Sequence, residues 1–209
     1  MRPKFIEGCE KNGHPQDKAE KVWKDWEAFA SYAFNKSHST CYAFLAFQTA
    51  FLKAHYPKEF MTSVLNHNKS DIKSLNFFIS EANSIGIKVL GPDINESQIN
   101  FSIANKEYIR FGLSALKGVG EGPVTELLKA QEKSPFKDIF DLVARVNLRA
   151  VNKKSLDSLA MSGAFDSFKN MHRAQYFTPS GGFDSFIEHL IKYGGSFQDQ
   201  KSSSQVNLF

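Results

Sequence analysis

The sequence predicts a mostly α-helical protein that carries one small β-hairpin. Three observations predict it. Apolar residues recur at three- and four-residue intervals in several stretches between Pro15 and Phe168, which places them on single helix faces. Asn100–Ile103 and Tyr108–Phe111 bracket Ala104–Glu107 in the manner of two short strands joined by a turn. Proline, glycine and capping residues fall at the ends of the periodic stretches, where they start or stop helices.

Pro15 suits the first turn of a helix, where its missing N–H costs nothing. After it Val22, Trp23, Trp26, Phe29, Ala30 and Ala33 repeat at helical spacing and give that helix an aromatic face. Asn35 to His38 breaks the pattern. A second helix is expected from Ser39 to His55, with Tyr42, Leu45, Ala46, Thr49 and Leu52 on one side. Pro57 restarts the chain, and a short helix follows through Phe60, Val64 and Leu65. Ser70 is the expected N-cap of a helix carrying Ile72, Leu75, Ile79, Ala82 and Ile85, which Gly86 terminates. Ile87–Leu90 reads as a strand ahead of the hairpin. A second helical region is expected from Leu113 to Phe168, with one apolar face through Phe136, Ile139, Phe140, Leu142, Val143 and Val146 and another through Val151, Leu156, Leu159 and Met161. Beyond Ala174 the glycine pairs at 181–182 and 194–195 and the serines at 202–204 read as linker, with one helix over Phe183–Ile191. The expected domains are 1–60, 61–173 and a flexible 174–209.

Bulk composition bounds the function. A hydrophobic content of 42% in 209 residues is enough for a real core. The net charge of +4 permits nucleic-acid binding without arguing strongly for it, and most of the basic excess lies in residues 105–175. The two cysteines, Cys9 and Cys41, form no C-x-x-C pair and point to a reducing compartment. No apolar signal segment follows Met1-Arg2-Pro3, and no run approaches the ~18 apolar residues of a membrane helix. The expected location is the cytoplasm, with no membrane partner.

Two segments concentrate chemistry. Asn35-Lys36-Ser37-His38, with Tyr42 beyond, gathers a carboxamide, a cation, a hydroxyl, an imidazole and a phenol at a helix start. Such a group suits phosphate oxygens, which the N–H groups of a helix N-terminus and a lysine both attract. Taken alone, the run fits an ordinary N-cap at Ser39 beside a solvated lysine better than a site. The second segment is Leu113-Ser-Ala-Leu116-Lys117-Gly118-Val119-Gly120-Glu121-Gly122-Pro123, which fits a helix-hairpin-helix. A short apolar helix is expected to end at Lys117. Gly118 and Gly120 allow the tight turn, Val119 plugs the gap between helices, and the next helix offers free N–H groups that hold a phosphate without reading a base. Glu121 beside that site is a complication, because it repels DNA while it suits the helix N-terminus. Lys153 and Lys154 begin a later helix and serve equally as phosphate contacts or as solvated lysines.

The run from Ala30 to Ser39, with Tyr42-Ala43, Gln48-Thr49-Ala50, Leu52-Lys53-Ala54-His55-Tyr56-Pro57 and Glu59-Phe60-Met61, resembles the end of the fingers domain in the alpha-subunit family of bacterial DNA polymerase III (family C). The resemblance continues through Leu90–Asn95, Arg110–Leu113 and Lys117–Glu121 to Ser162–Asp166, in order over residues 1–175. It implies a helical fingers segment followed by a helix-hairpin-helix domain. It also implies a fragment of a DNA-directed DNA polymerase in which Asn35, Lys36, Ser37, His38 and Tyr42 border the incoming deoxynucleoside triphosphate and primer terminus. Lys117, Gly118, Val119, Gly120, Gly122, Lys153 and Lys154 are the implied contacts to primer-template phosphates. The final Gln205-Val206-Asn207-Leu208-Phe209 resembles the peptide by which bacterial replication proteins bind the sliding clamp (the beta subunit). There Leu208 and Phe209 fill an apolar pocket and Gln205 bonds at its rim. Other holoenzyme subunits are further implied partners. No cofactor is expected on this chain, because the family's Mg²⁺ belongs to palm aspartates in an Asp-x-Asp arrangement and no Asp-x-Asp occurs here. Catalytic residues are therefore expected elsewhere, and the chain alone is expected to be inactive. The competing readings are a standalone, non-catalytic helix-hairpin-helix adaptor that joins DNA to the clamp and a purely structural helical domain that binds nothing.

Overall fold

The computed structural model describes residues 1–32 and 36–202, and it divides the chain into two units, Met1–Ala54 and His55–Phe209. The first unit contains α1 (Arg2–Lys11), α2 (Gln16–Tyr32) and α3 (Lys36–His55). The sequence reading missed α1, which has Pro3 in its first turn and ends at Asn12 and a left-handed Gly13. Pro15 sits just before α2, and its carbonyl accepts from Lys18 and Ala19. α1 and α2 are joined by aromatic packing, with the Phe5 ring centroid 5.5 Å from Trp23 and 5.0 Å from Trp26. The second expected helix begins at Lys36 rather than Ser39, so Lys36, Ser37 and His38 form its first turn instead of a break before it. The hydroxyl of Thr40 donates to the Lys36 carbonyl, which ties that turn into the helix.

The second unit holds two cores. In the smaller, α4 (Pro57–His67) and α5 (Ile72–Ser84) pack on a three-stranded sheet through Met61, Leu65, Leu75, Ala82, Phe101 and Ile109. The N-cap of α5 is Asp71, not Ser70: its carboxylate accepts from the Lys73 N–H at 3.0 Å and the Ser74 hydroxyl at 2.6 Å, and these bonds hold its pKa below the ordinary carboxylate value. Gly86 follows α5 with φ +82, as a terminator should. The expected hairpin is β2 (Ser102–Ala104) against β3 (Tyr108–Arg110), turned by Asn105 and Lys106 at positive φ. β1 (Val89–Leu90) joins it parallel to β3, giving the order β1-β3-β2. Asn66 fastens α4 to the sheet, exchanging both hydrogen bonds with the Phe101 backbone at 2.9 and 2.8 Å.

The larger core gathers α6 (Glu121–Gln131), α7 (Ile139–Arg145), α8 (Lys153–Ser162) and α9 (Phe186–Ser202) around Val124, Leu127, Leu142, Leu156, Leu159 and Phe165. Asn95 repeats the Asn66 device, exchanging bonds with the Phe136 backbone at 2.9 and 2.8 Å. The linker expected from 174 is corrected here. Tyr176, in a 3-10 turn over Arg173–Phe177, is buried in the core, as are Ile187 and Leu190 of α9. α9 extends 17 residues, well past the helix expected over Phe183–Ile191. Gly194 belongs to this helix because it crosses α7 closely: a β-carbon there would lie 2.7 Å from the Val143 carbonyl. The Gln198 amide then donates to the Val143 and Val146 carbonyls, both at 2.9 Å, and so satisfies carbonyls at the end of α7.

Candidate nucleic-acid interface

The segment before α6 turns more tightly than the sequence suggests. In place of a short helix ending at Lys117 there is one 3-10 turn, Leu113–Ala115, flanked by extended Gly112 and Leu116. The N–H groups of Leu113 and Ser114 donate to the carbonyls of Gln98 and Ile99, which holds the segment across the chain that precedes β2, and the Leu116 N–H closes the single turn on the Leu113 carbonyl. Gly112 is forced by the same crossing, since a β-carbon there would fall 2.4 Å from the Asn100 carbonyl carbon.

Gly118 follows with φ +91, a conformation that L side chains rarely adopt. A β-carbon on it would also strike the Ser158 hydroxyl at 2.5 Å and sit 3.7 Å from Cε of Lys154. The turn therefore rests directly on α8. Val119 is buried at 4% exposure and its N–H donates to the Leu116 carbonyl, so its part is to pack and to close the turn rather than to meet a phosphate. Gly120 is extended and has no side chain to cap α6. As a result, among the described residues the N–H groups of Gly118, Gly120, Glu121 and Gly122 find no acceptor. Gly120, Glu121 and Gly122 are exposed, and so are Lys117 and Lys154 on either side. Pro123 in the first turn removes one donor that would otherwise also be open.

The Glu121 carboxylate is met by Lys69 at 3.5 Å, and that ammonium also donates to Asn100 at 3.0 Å and Ser114 at 3.4 Å. The carboxylate thus stands beside a held cation, which weakens its repulsion of an anion. Lys69 comes from the turn after α4, over fifty residues away in sequence, and no local pattern marks it. Ser158 lies one helical turn after Lys154, a spacing that does put it on the same face.

The two lysines of α8 separate. Lys153 pairs with Asp157 at 3.3 Å and Glu188 at 3.5 Å, and the Asp157 bond raises its pKa. Lys154 points to the hairpin and makes no ion pair among the described residues. α8 also differs from α6 in that the Asn152 side chain caps it by accepting from Ser155 at 3.2 Å.

The fingers-like residues lie in the other unit. Lys36, Ser37, His38 and Tyr42 all fall on the exposed first turns of α3, with the His38 and Tyr42 rings 4.3 Å apart. Asn35, Gln205, Leu208 and Phe209 lie outside the described residues. Among the described residues no three His, Cys, Asp or Glu side chains converge as a metal site, and no helix is long and apolar enough to cross a membrane.

A family described as a helix-hairpin-helix motif matches residues 86–176, from β1 to the 3-10 turn after α8. The DNA polymerase III subunit alpha of Aquifex aeolicus is 42% identical over 174 residues, covering 83% of this chain and 15% of the relative. That of Thermus aquaticus is 37% identical over 209 residues, all of this chain and 16% of the relative. That of Escherichia coli is 42% identical over 175 residues, 83% of this chain and 15% of the relative. The chain thus spans about a sixth of the length of these relatives.

Proposed function

The chain belongs to the DNA polymerase III alpha-subunit family, and from that premise we propose that it supplies the duplex-DNA grip, part of the nucleotide border and the clamp tether of a replicative DNA polymerase. The observation that carries the reading is the row of unaccepted N–H groups at Gly118 and Gly120–Gly122 between two exposed lysines. Backbone donors at a helix start bind a phosphate regardless of the adjoining base, which suits an enzyme that must hold every sequence it copies. Lys117 and Lys154 add charge, and Lys69 offsets Glu121. The resemblance assigns Asn35, Lys36, Ser37, His38 and Tyr42 to the border of the incoming nucleotide and primer end. It assigns Gln205, Leu208 and Phe209 to the sliding clamp. The roles proposed for these residues are binding roles.

The test is duplex binding by fluorescence anisotropy across a salt series. A phosphate-gripping surface weakens with salt, log K falling with a slope of about −0.9 per neutralised phosphate. Lys117→Glu with Lys154→Glu leaves the turn intact and is expected to weaken binding at least tenfold and to flatten that slope by roughly 2. Gly118→Val removes the turn itself and is expected to do the same through geometry. Unchanged affinity and slope in the lysine variant would remove the hairpin from the proposal.

A further inference from the structure

α7 and α9 pack along one another and leave a row of aromatic rings half exposed. Phe140 stands edge-on to Phe186 and Tyr193, with centroids 6.0 and 5.4 Å away, and Tyr193 continues the row to Phe197 at 6.2 Å. Phe140, Tyr193 and Phe197 are 38%, 42% and 41% exposed. Isolated apolar residues on a surface are ordinary, but a contiguous aromatic row marks a contact surface. Charge identifies the class of partner. Over residues 138–145 and 184–202 five carboxylates stand against three lysines and arginines, although the whole chain carries +4. That acidic balance disfavours nucleic acid and leaves a protein as the fitting occupant.

Chain connectivity identifies which protein. α9 ends at Ser202 and Gln205 follows three residues later, a reach of about 10 Å of extended chain. Phe197 precedes Ser202 by five residues, about 8 Å of helix. Any protein that holds the Gln205–Phe209 peptide is therefore kept beside the aromatic row at high effective concentration. We propose that the row formed by Phe140, Phe186, Tyr193 and Phe197 is a second contact for the protein that holds the C-terminal peptide, an inference that rests on the clamp reading given above. A short peptide supplies a small interface, and an adjoining aromatic surface adds anchors of the kind that dominate binding energy.

The experiment measures binding of a bacterial sliding clamp to the 209-residue chain and to a synthetic peptide of residues 203–209 by calorimetry. The chain is expected to bind at least tenfold more tightly than the peptide. Tyr193→Ser with Phe197→Ser is expected to remove that tenfold advantage while duplex-DNA binding stays unchanged. The milder Phe197→Gln, which opens no core position, is expected to lose part of it. Thermal melting confirms that each variant is folded. Equal affinity of wild type and row variant overturns the proposal, as does a loss of DNA rather than clamp affinity. Leu208→Ala with Phe209→Ala tests the tail separately. Retained binding in that variant overturns the tail reading and the inference resting on it. No binding by wild type overturns both.

Discussion

The Tyr176 hydroxyl is buried and finds no hydrogen-bond partner among the described residues, while the rest of its side chain packs in the larger core. Burial first, then the nearby carboxylates Asp166 and Asp138, push its pKa up from 10.0 to about 12. The folded phenol holds its proton where the unfolded one has begun to release it. Stability is therefore full below pH 10 and falls as pH rises toward 12. An unpaired buried hydroxyl costs about 1–3 kcal/mol. Tyr176→Phe is accordingly expected to raise the urea midpoint, by about 1 kcal/mol in unfolding free energy, and to abolish that alkaline loss. A destabilised phenylalanine variant would show that the hydroxyl has a partner. Nothing local marked this residue, since a tyrosine in a glycine- and serine-rich stretch reads as surface. Gly118 was legible for the opposite reason: its role is set by its own backbone and by neighbours a few residues away. Lys69 was not legible, because its partners Asn100, Ser114 and Glu121 come from distant parts of the chain.

At the scale of elements, the helices with a clear apolar stripe and a nearby terminator were readable, α5 with Gly86 being one and α8 another. Two misreadings have a common cause. The helix expected before the hairpin is a single 3-10 turn, held on the backbone of Gln98 and Ile99 and ended by an extended Leu116. The part of α9 beyond Ile191 reads as linker in the sequence because its glycines look like breaks, yet Gly194 is there to admit the α7 backbone. Neither effect has a sequence period. The two glycines of α9 therefore make an internal comparison. In an exposed helix interior Gly→Ala stabilises by about 1 kcal/mol. Gly195 has nothing within 4 Å of a new β-carbon, so Gly195→Ala is expected to raise the melting temperature. At Gly194 the same β-carbon meets Val143 and Leu148 at 2.7–3.0 Å, so Gly194→Ala is expected to cost about 1–3 kcal/mol. Its displacement should also release the Gln198 bonds to α7. Two alanine variants that shift stability in the same direction would contradict this packing.

On the scale of the whole molecule, the buried apolar residues are unevenly shared. Of those described, Ala19 alone lies in the first unit, and all the others run from Met61 to Leu190. The first unit instead exposes Trp26, Phe29, Tyr42, Phe44, Phe47 and Phe51 at 46–69%. The stripe expected on α3 names only one side of a helix that carries aromatic residues on others too, a pattern typical of helices buried in larger assemblies. A chain that spans about a sixth of its relatives' length gives that pattern a natural setting. The stability consequence is measurable on the chain as it stands. Both tryptophans, Trp23 and Trp26, belong to the first unit, so tryptophan emission reports on it alone, whereas far-ultraviolet circular dichroism reports on all the helices. With so little buried area the first unit should open first. Urea titration is expected to show the emission change at lower denaturant than the main dichroism transition, a departure from two-state behaviour. Residues 55–209 alone are expected to keep a cooperative dichroism transition, because their core residues are all present. Coincident transitions in the full chain, together with a non-cooperative 55–209, would instead mean that the two units stabilise each other and fold as one.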